Sequence, residues 1–236
     1  MRHPTTILQV QNLHAWYDES HILHGVTFDV YEGEIVTLLG RNGSGRTTTL
    51  RAIIGMTSRR EGSVRILGTE CIDWPTYRIA RLGVGYCPEE RGVYSSLNAE
   101  ENLLLPPRVS ESGLTLSQIY DLFPNLRERA SAQGTRLSGG EQQMLAVARI
   151  LRIGARLLLL DEISEGLAPV IVQRLAEIVT QLRRSGYTIV MVEQNFNFSA
   201  PLSDRLLVME HGRIAMELDA SAIAESMPRL QAFLGV

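Results

Sequence analysis

The chain has 236 residues, 44% of them hydrophobic, and a formal charge of -3, which suits one domain with a sizeable core, or a domain carrying an inserted subdomain. The balance of charge gives no overall pull toward nucleic acid, no apolar run reaches the length of a membrane span, and Met1-Arg2-His3-Pro4 lacks the apolar centre of a signal peptide. Cys71 and Cys87 are too far apart for a CxxC site and read as free thiols of a reducing compartment, the cytoplasm. Lysine is absent, so all 23 Lys+Arg residues are arginine.

Strand-like segments open the chain, Thr6 to Leu13 and Val26 to Val30. A third apolar run, Ile35 to Leu39, leads into Gly40-Arg41-Asn42-Gly43-Ser44-Gly45-Arg46-Thr47, and Thr47 to Ile54 reads as the helix that follows. This is the phosphate-loop pattern G-x-x-x-x-G-K-[ST] with arginine in the lysine place. Glycines let successive backbone N–H groups converge on a phosphate, and the helix N-terminus adds partial positive charge. Gly40, Asn42, Gly43, Ser44, Gly45, Arg46, Thr47 and Thr48 are the expected nucleotide-binding residues, with the Thr47 hydroxyl placed to hold Mg²⁺. Arginine is longer, planar and bidentate where lysine is a compact point charge. Nucleotide binding is therefore expected to survive at Arg46, with hydrolysis slowed or altered.

Further along, Gly62 to Leu67 suggests a strand turning at Gly68, Arg78 to Leu82 a helix and Val84 to Tyr86 a short strand. From Glu89 to about Leu151 the pattern is helical. Asn98 to Leu103 has the look of a helix start with an acidic first turn, Pro106-Pro107 ends that helix, and Leu116 to Phe123 begins the next. Leu137-Ser138-Gly139-Gly140-Glu141-Gln142-Gln143 opens a helix from Glu141 to Leu151 and offers a hydroxyl, open amides and a helix N-terminus, a second anion site. The α/β rhythm then returns with a strand at Leu157 to Leu160, a helix at Val170 to Arg184 and a strand at Thr188 to Val192. Leu206 to Met209 and Arg213 to Glu217 read as a hairpin around Gly212, and Ser221 to Leu234 as a closing helix. Asp161-Glu162 follows the four-leucine strand, where α/β sheets bind ligands. There Asp161 supports Mg²⁺ with Thr47, and Glu162 is placed to polarise a water against a γ-phosphate.

These residues resemble the ABC ATPase family: the phosphate loop, Asp161-Glu162 and a close match to its LSGGQ signature. The resemblance spans essentially the whole chain. It implies one α/β ATP-binding domain, 1–236, with a phosphate-loop core (1–88 and 152–236), an antiparallel β subdomain and a helical subdomain at about 89–151. It also implies that Tyr17 stacks on adenine, with Trp16 a competing candidate, and that Ser138, Gly139 and Gly140 complete the ATP site of an opposing subunit in a head-to-tail dimer. Glu89 matches a position where many members have glutamine contacting Mg²⁺ or the attacking water, and Gln194 one where many have a γ-phosphate-contacting histidine. Ser164-Glu165-Gly166-Leu167-Ala168-Pro169 matches the loop that crosses to the other subunit. Ile163 stands where the resemblance implies proline.

Glu89, the SEGLAP segment and Val192-Glu193-Gln194-Asn195 together look like the ATPase subunits of bacterial branched-chain amino acid importers, with urea or amide importers closely similar. That implies a peripheral protein at the cytoplasmic membrane face that hydrolyses ATP with Mg²⁺. Its expected partners are a homologous ATPase subunit, transmembrane permeases and, indirectly, a periplasmic binding protein, with no nucleic acid. A nucleotide-gated subunit whose partner does most of the hydrolysis is the rival reading. A soluble DNA-repair or translation ABC protein is disfavoured because coiled-coil inserts, paired cassettes and a basic footprint are all absent.

Overall fold

The computed structural model describes residues 5–223, 225–227 and 230. The first four residues and half of the expected closing helix lie outside them.

Two long strands, β1 (Thr6–Tyr17) and β2 (Ser20–Tyr31), pair antiparallel. With β4 (Arg59–Ile66) and β5 (Thr69–Glu70) they form a sheet in the order β2-β1-β4-β5. β1 and β2 run well past the segments expected from sequence, because polar residues such as His14, Ser20 and His21 continue the ladder on its more exposed face.

The second sheet holds β3 (Ile35–Gly40), β6 (Val84–Cys87), β7 (Leu157–Asp161), β8 (Thr188–Val192), β9 (Arg205–Glu210) and β10 (Arg213–Asp219), in the order β10-β9-β3-β8-β7-β6. Every pairing is parallel except the β9–β10 hairpin at one edge. All residues of β3, β7 and β8 are buried, as expected for parallel strands covered on both faces. Side chains alternate across such a strand. Leu158 and Leu160 accordingly join one apolar cluster with the helices, whereas Leu157 and Leu159 join a second beneath the antiparallel sheet.

That second cluster also holds Leu50 and Ile53 of α1 (Arg46–Ile53), the helix leaving the glycine loop. A short helix, α2 (Thr76–Ala80), precedes β6. Between β6 and β7 lie α3 (Ala99–Leu104), α4 (Leu116–Leu122), α5 (Pro124–Glu128) and α6 (Gly139–Arg152). α7 (Pro169–Arg184) and α8 (Phe196–Ser199) follow β7 and β8.

Capping boxes start α3, α4 and α6: Asn98 with Glu101, Thr115 with Gln118, and Ser138 with Glu141. In each, the cap side chain and the residue three later satisfy one another's backbone N–H groups. The sequence reading missed α5 and α8. Phe123-Pro124 ends one helix and seeds another in a single step, since proline is disfavoured after an α-region residue but welcome at a first helical position. Among the described residues no helix is long and apolar enough to cross a membrane.

Candidate nucleotide-binding site

Parallel register decides what meets at the sheet edge. Leu38 aligns with Val192, Asp161 with Val192, and Leu160 with Cys87. The carboxyl ends of β3, β6, β7 and β8 therefore open on one edge, carrying respectively the glycine loop, Glu89, Asp161-Glu162 and Glu193-Gln194.

The glycine loop bends where only glycine serves. Gly45, the residue capping α1, has φ +102°, and a Cβ there would come within 2.9 Å of Leu23 Cδ2. At Gly40 a Cβ would lie 2.5 Å from the Met209 carbonyl oxygen.

A cavity of about 410 Å³ opens over the loop. It is lined by Tyr17, Ile22, Asn42 through Thr48, Glu89, Glu162 and Glu165. Trp16 instead stacks on His21, ring centroids 4.2 Å apart, with the Arg59 guanidinium over its ring.

Arg46 is 4% exposed and spans the cavity. Its Nη2 donates to Glu162 Oε1 at 2.8 Å and to Asn42 Oδ1 at 3.2 Å. Its Nη1 is buried without an acceptor, as is the Ser44 hydroxyl. Buried donors without acceptors are costly. Two of them at an opened glycine loop suit an anion with several oxygens, as a phosphate chain has.

Asp161 lies below, fully buried. Thr47 Oγ1 donates to its Oδ1 at 2.9 Å, and the Tyr86 hydroxyl to its Oδ2 at 2.8 Å. A carboxylate and a hydroxyl in contact beside a phosphate cradle are the hard oxygen donors that Mg²⁺ takes, so the donor set fits that ion. Burial raises the Asp161 carboxyl above the ordinary range while both hydroxyl donors pull it back.

Glu162 sits at φ +46°, left-handed for a residue with a side chain. Its N–H donates to the Val192 carbonyl at 2.8 Å, tying it to β8. Burial and the Glu165 carboxyl push the Glu162 carboxyl up, to about 8, against the pull of Arg46. Carboxylate oxygens of Glu89, Glu162 and Glu165 lie within 4.8 Å of one another. Glu89 is raised too, first by burial and then by Glu165. A carboxylate so destabilised is a stronger base near neutral pH than a free one.

The structure does not bring every expected site residue into this cavity. Gln194 lines a neighbouring cleft of about 690 Å³, shared with Glu162 and Glu165. Ser138, Gly139 and Gly140 line neither. They begin α6, where the Ser138 hydroxyl accepts from the Glu141 N–H and Gly139 faces Arg91. Two residues of the site had no role legible in the sequence: Tyr86, which fixes Asp161, and Glu193, present there only within the Val192-Glu193-Gln194-Asn195 match, which is 1% exposed and accepts from the Ser164 N–H and hydroxyl at 3.1 and 2.7 Å.

A glycine loop running from a buried parallel strand into a helix, with a Thr–Asp pair and a glutamate on the same sheet edge, defines a phosphate-loop cassette. The chain belongs to the ABC transporter family, whose model matches residues 23–165. It is 40% identical, over 97% of this chain and 100% of the relative, to the high-affinity branched-chain amino acid transport ATP-binding protein BraG of Pseudomonas aeruginosa. It is 33% identical, over 93% of this chain and 94% of the relative, to the probable branched-chain amino acid transport ATP-binding protein LivF of Archaeoglobus fulgidus. A solved ATP binding subunit of an ABC transporter superposes with TM-score 0.82 at 27% identity, covering 98% of this chain and 100% of that one.

Proposed function

We propose that this chain is the ATP-binding and hydrolysing subunit of a bacterial importer for branched-chain amino acids. The observation that carries the chemistry is the convergence of the glycine loop, the Thr47–Asp161 pair and Glu162 around one cavity. The end-to-end similarity to BraG supports the solute class.

In this reading Tyr17 stacks on the adenine, a contact worth about 1–3 kcal/mol. The amides of Gly43 to Thr48 and the Arg46 guanidinium hold the phosphates. Thr47 and Asp161 would hold Mg²⁺, which offsets phosphate charge. Glu162 takes a proton from the attacking water as its oxygen bonds the γ-phosphorus and the bond to the β-phosphate oxygen breaks, giving ADP and phosphate. Glu89 and Gln194 flank that water from the two neighbouring strand ends. Ser138, Gly139 and Gly140 lie outside the cavity because their phosphate belongs to a partner subunit's site, so two cassettes sandwich ATP head to tail. The chain works peripherally at the cytoplasmic membrane face, and a permease and a periplasmic binding protein choose the solute.

One observation favours a second reading. Arg46 holds the Glu162 carboxylate directly, so the chain could close on ATP while a homologous partner hydrolyses it. Steady-state Mg-ATPase activity with parallel ATP affinity separates the two. A working motor turns over and loses about 10²–10⁴-fold in Glu162→Gln while still binding ATP. A gating subunit binds ATP but turns over only as Arg46→Lys. Solute class is tested by reconstitution with its permeases, where leucine-loaded binding protein should stimulate turnover and urea should not.

A further inference from the structure

We propose that Arg46 is a nucleotide-dependent positioning residue that exchanges partners: it holds the Glu162 carboxylate while no γ-phosphate is present and transfers to the γ-phosphate when a triphosphate enters, releasing Glu162 toward the attacking water. The inference rests on the ATP reading above and assigns to this site a discrimination between tri- and diphosphate.

Three observations carry it. The Arg46–Glu162 ion pair is short, 2.8 Å, and enclosed, with side chains 4% and 10% exposed. It joins the phosphate loop to the end of β7 across the cavity that the phosphates would fill. Only one arm of the guanidinium is engaged, since Nη2 serves both Glu162 and Asn42 while the buried Nη1 has no acceptor.

Arg46 is thus held but under-satisfied. A terminal phosphate offers several charged oxygens and can take both arms of a planar guanidinium at once, which the Glu162 carboxylate does not do here. The trade therefore favours the γ-phosphate, and it costs the Glu162 carboxylate its partner at the moment when an unpaired carboxylate is useful. A diphosphate ends one phosphorus short of that position and leaves the pair intact. A lysine ammonium in this place would be a compact charge whose donors share one nitrogen, without two separated arms to divide between partners, so the device depends on arginine.

Glu162 is suited to being released. Its backbone is fixed by the bond to the Val192 carbonyl, so loss of Arg46 frees the carboxylate without freeing the loop. Glu89 and Glu165 each offer a carboxylate oxygen within 4.8 Å of one on Glu162, so the released side chain stays within the same acidic cluster.

The test uses the full chain with ¹⁵N-labelled arginine. The buried Arg46 guanidinium resonance is identified by its loss in Arg46→Lys. It should shift in Glu162→Gln when nucleotide is absent or ADP is bound. With a non-hydrolysable ATP analogue it should move and become insensitive to Glu162→Gln. Calorimetry gives the second readout: Glu162→Gln should bind the ATP analogue about tenfold or more tightly than the natural chain, the scale of one charge-assisted bond, and ADP within about twofold. If both nucleotides bind but the resonance is indifferent to Glu162→Gln without nucleotide, or stays sensitive to it with the ATP analogue, the exchange is wrong and the ATP reading stands. If neither nucleotide binds, both fall.

Discussion

The residues that shape this site act in pairs across loops, and Glu193 is the clearest case. It follows β8, yet both its oxygens are used by Ser164 after β7. Burial pushes its carboxyl up to about 7, with the Ser164 donors and Arg46 pulling back. The folded chain therefore holds this proton more tightly than the unfolded chain does. The associated stability is fully present below about 4.5 and is lost as pH rises through about 7. Urea melts at pH 5 and pH 8 should differ less in Glu193→Gln than in the natural chain, by on the order of 2–3 kcal/mol. An equal pH slope in both would refute the assignment. Sequence alone marked Arg46, Thr47, Asp161 and Glu162 because each stands inside a contiguous pattern whose chemistry is explicit. Tyr86 left no such mark, and Glu193 only a place in the Val192-Glu193-Gln194-Asn195 match with no role attached: their partners lie on β7 or just after it, and only parallel register brings Tyr86 beside Leu159 and so within reach of Asp161.

At the scale of elements, the buried strands were legible to within a residue because their apolar runs are bounded by glycine, polar loops or charge. β1 and β2 were not, since a half-exposed strand carries residues such as His14 and His21 that no hydrophobic period registers. The start of α6 shows a capping signal and a functional signal written in the same letters. Ser138 closes a capping box with Glu141, and it is also the residue proposed to meet a partner's phosphate. Two substitutions separate these roles. Ser138→Ala should cost about 1 kcal/mol of stability by losing the cap. Ser138→Asp keeps a good cap and adds negative charge at a helix N-terminus, so its melting temperature should stay close to natural. Placed against a γ-phosphate, the same charge should abolish ATP-driven dimerisation, read by light scattering in the Glu162→Gln background. Dimerisation of Ser138→Asp as strong as the parent's would remove Ser138 from the interface.

Across the whole molecule, the nucleotide cavity and a groove on the flank share a residue. The groove, about 240 Å³, is lined by Ile54, Thr76, Val84, Tyr86, Pro106 and Ile150 among others. Beside its lining in the chain stand Tyr77, Leu104 and Leu105, which are large, apolar and exposed at 65%, 43% and 50%. Exposed apolar side chains flanking a groove suit an interaction surface, and under the proposed function the occupant is the permease. Tyr86 lines this groove while its hydroxyl holds Asp161 Oδ2 at 2.8 Å, so one side chain touches both the docking surface and the proposed metal ligand. Docking and transmission should therefore come apart. Leu105→Arg should leave nucleotide affinity and melting temperature unchanged but prevent recovery with the permease in detergent. Tyr86→Phe keeps the ring in the groove and should preserve that recovery. It also strips a donor from a buried carboxylate, which costs about 1–3 kcal/mol in the nucleotide-free chain. In a reconstituted transporter its ATPase rate should respond weakly to loaded binding protein although the complex is intact. Full stimulation in Tyr86→Phe would mean that the groove and the cavity are merely neighbours, because the Tyr86–Asp161 hydrogen bond that joins them would then carry no signal.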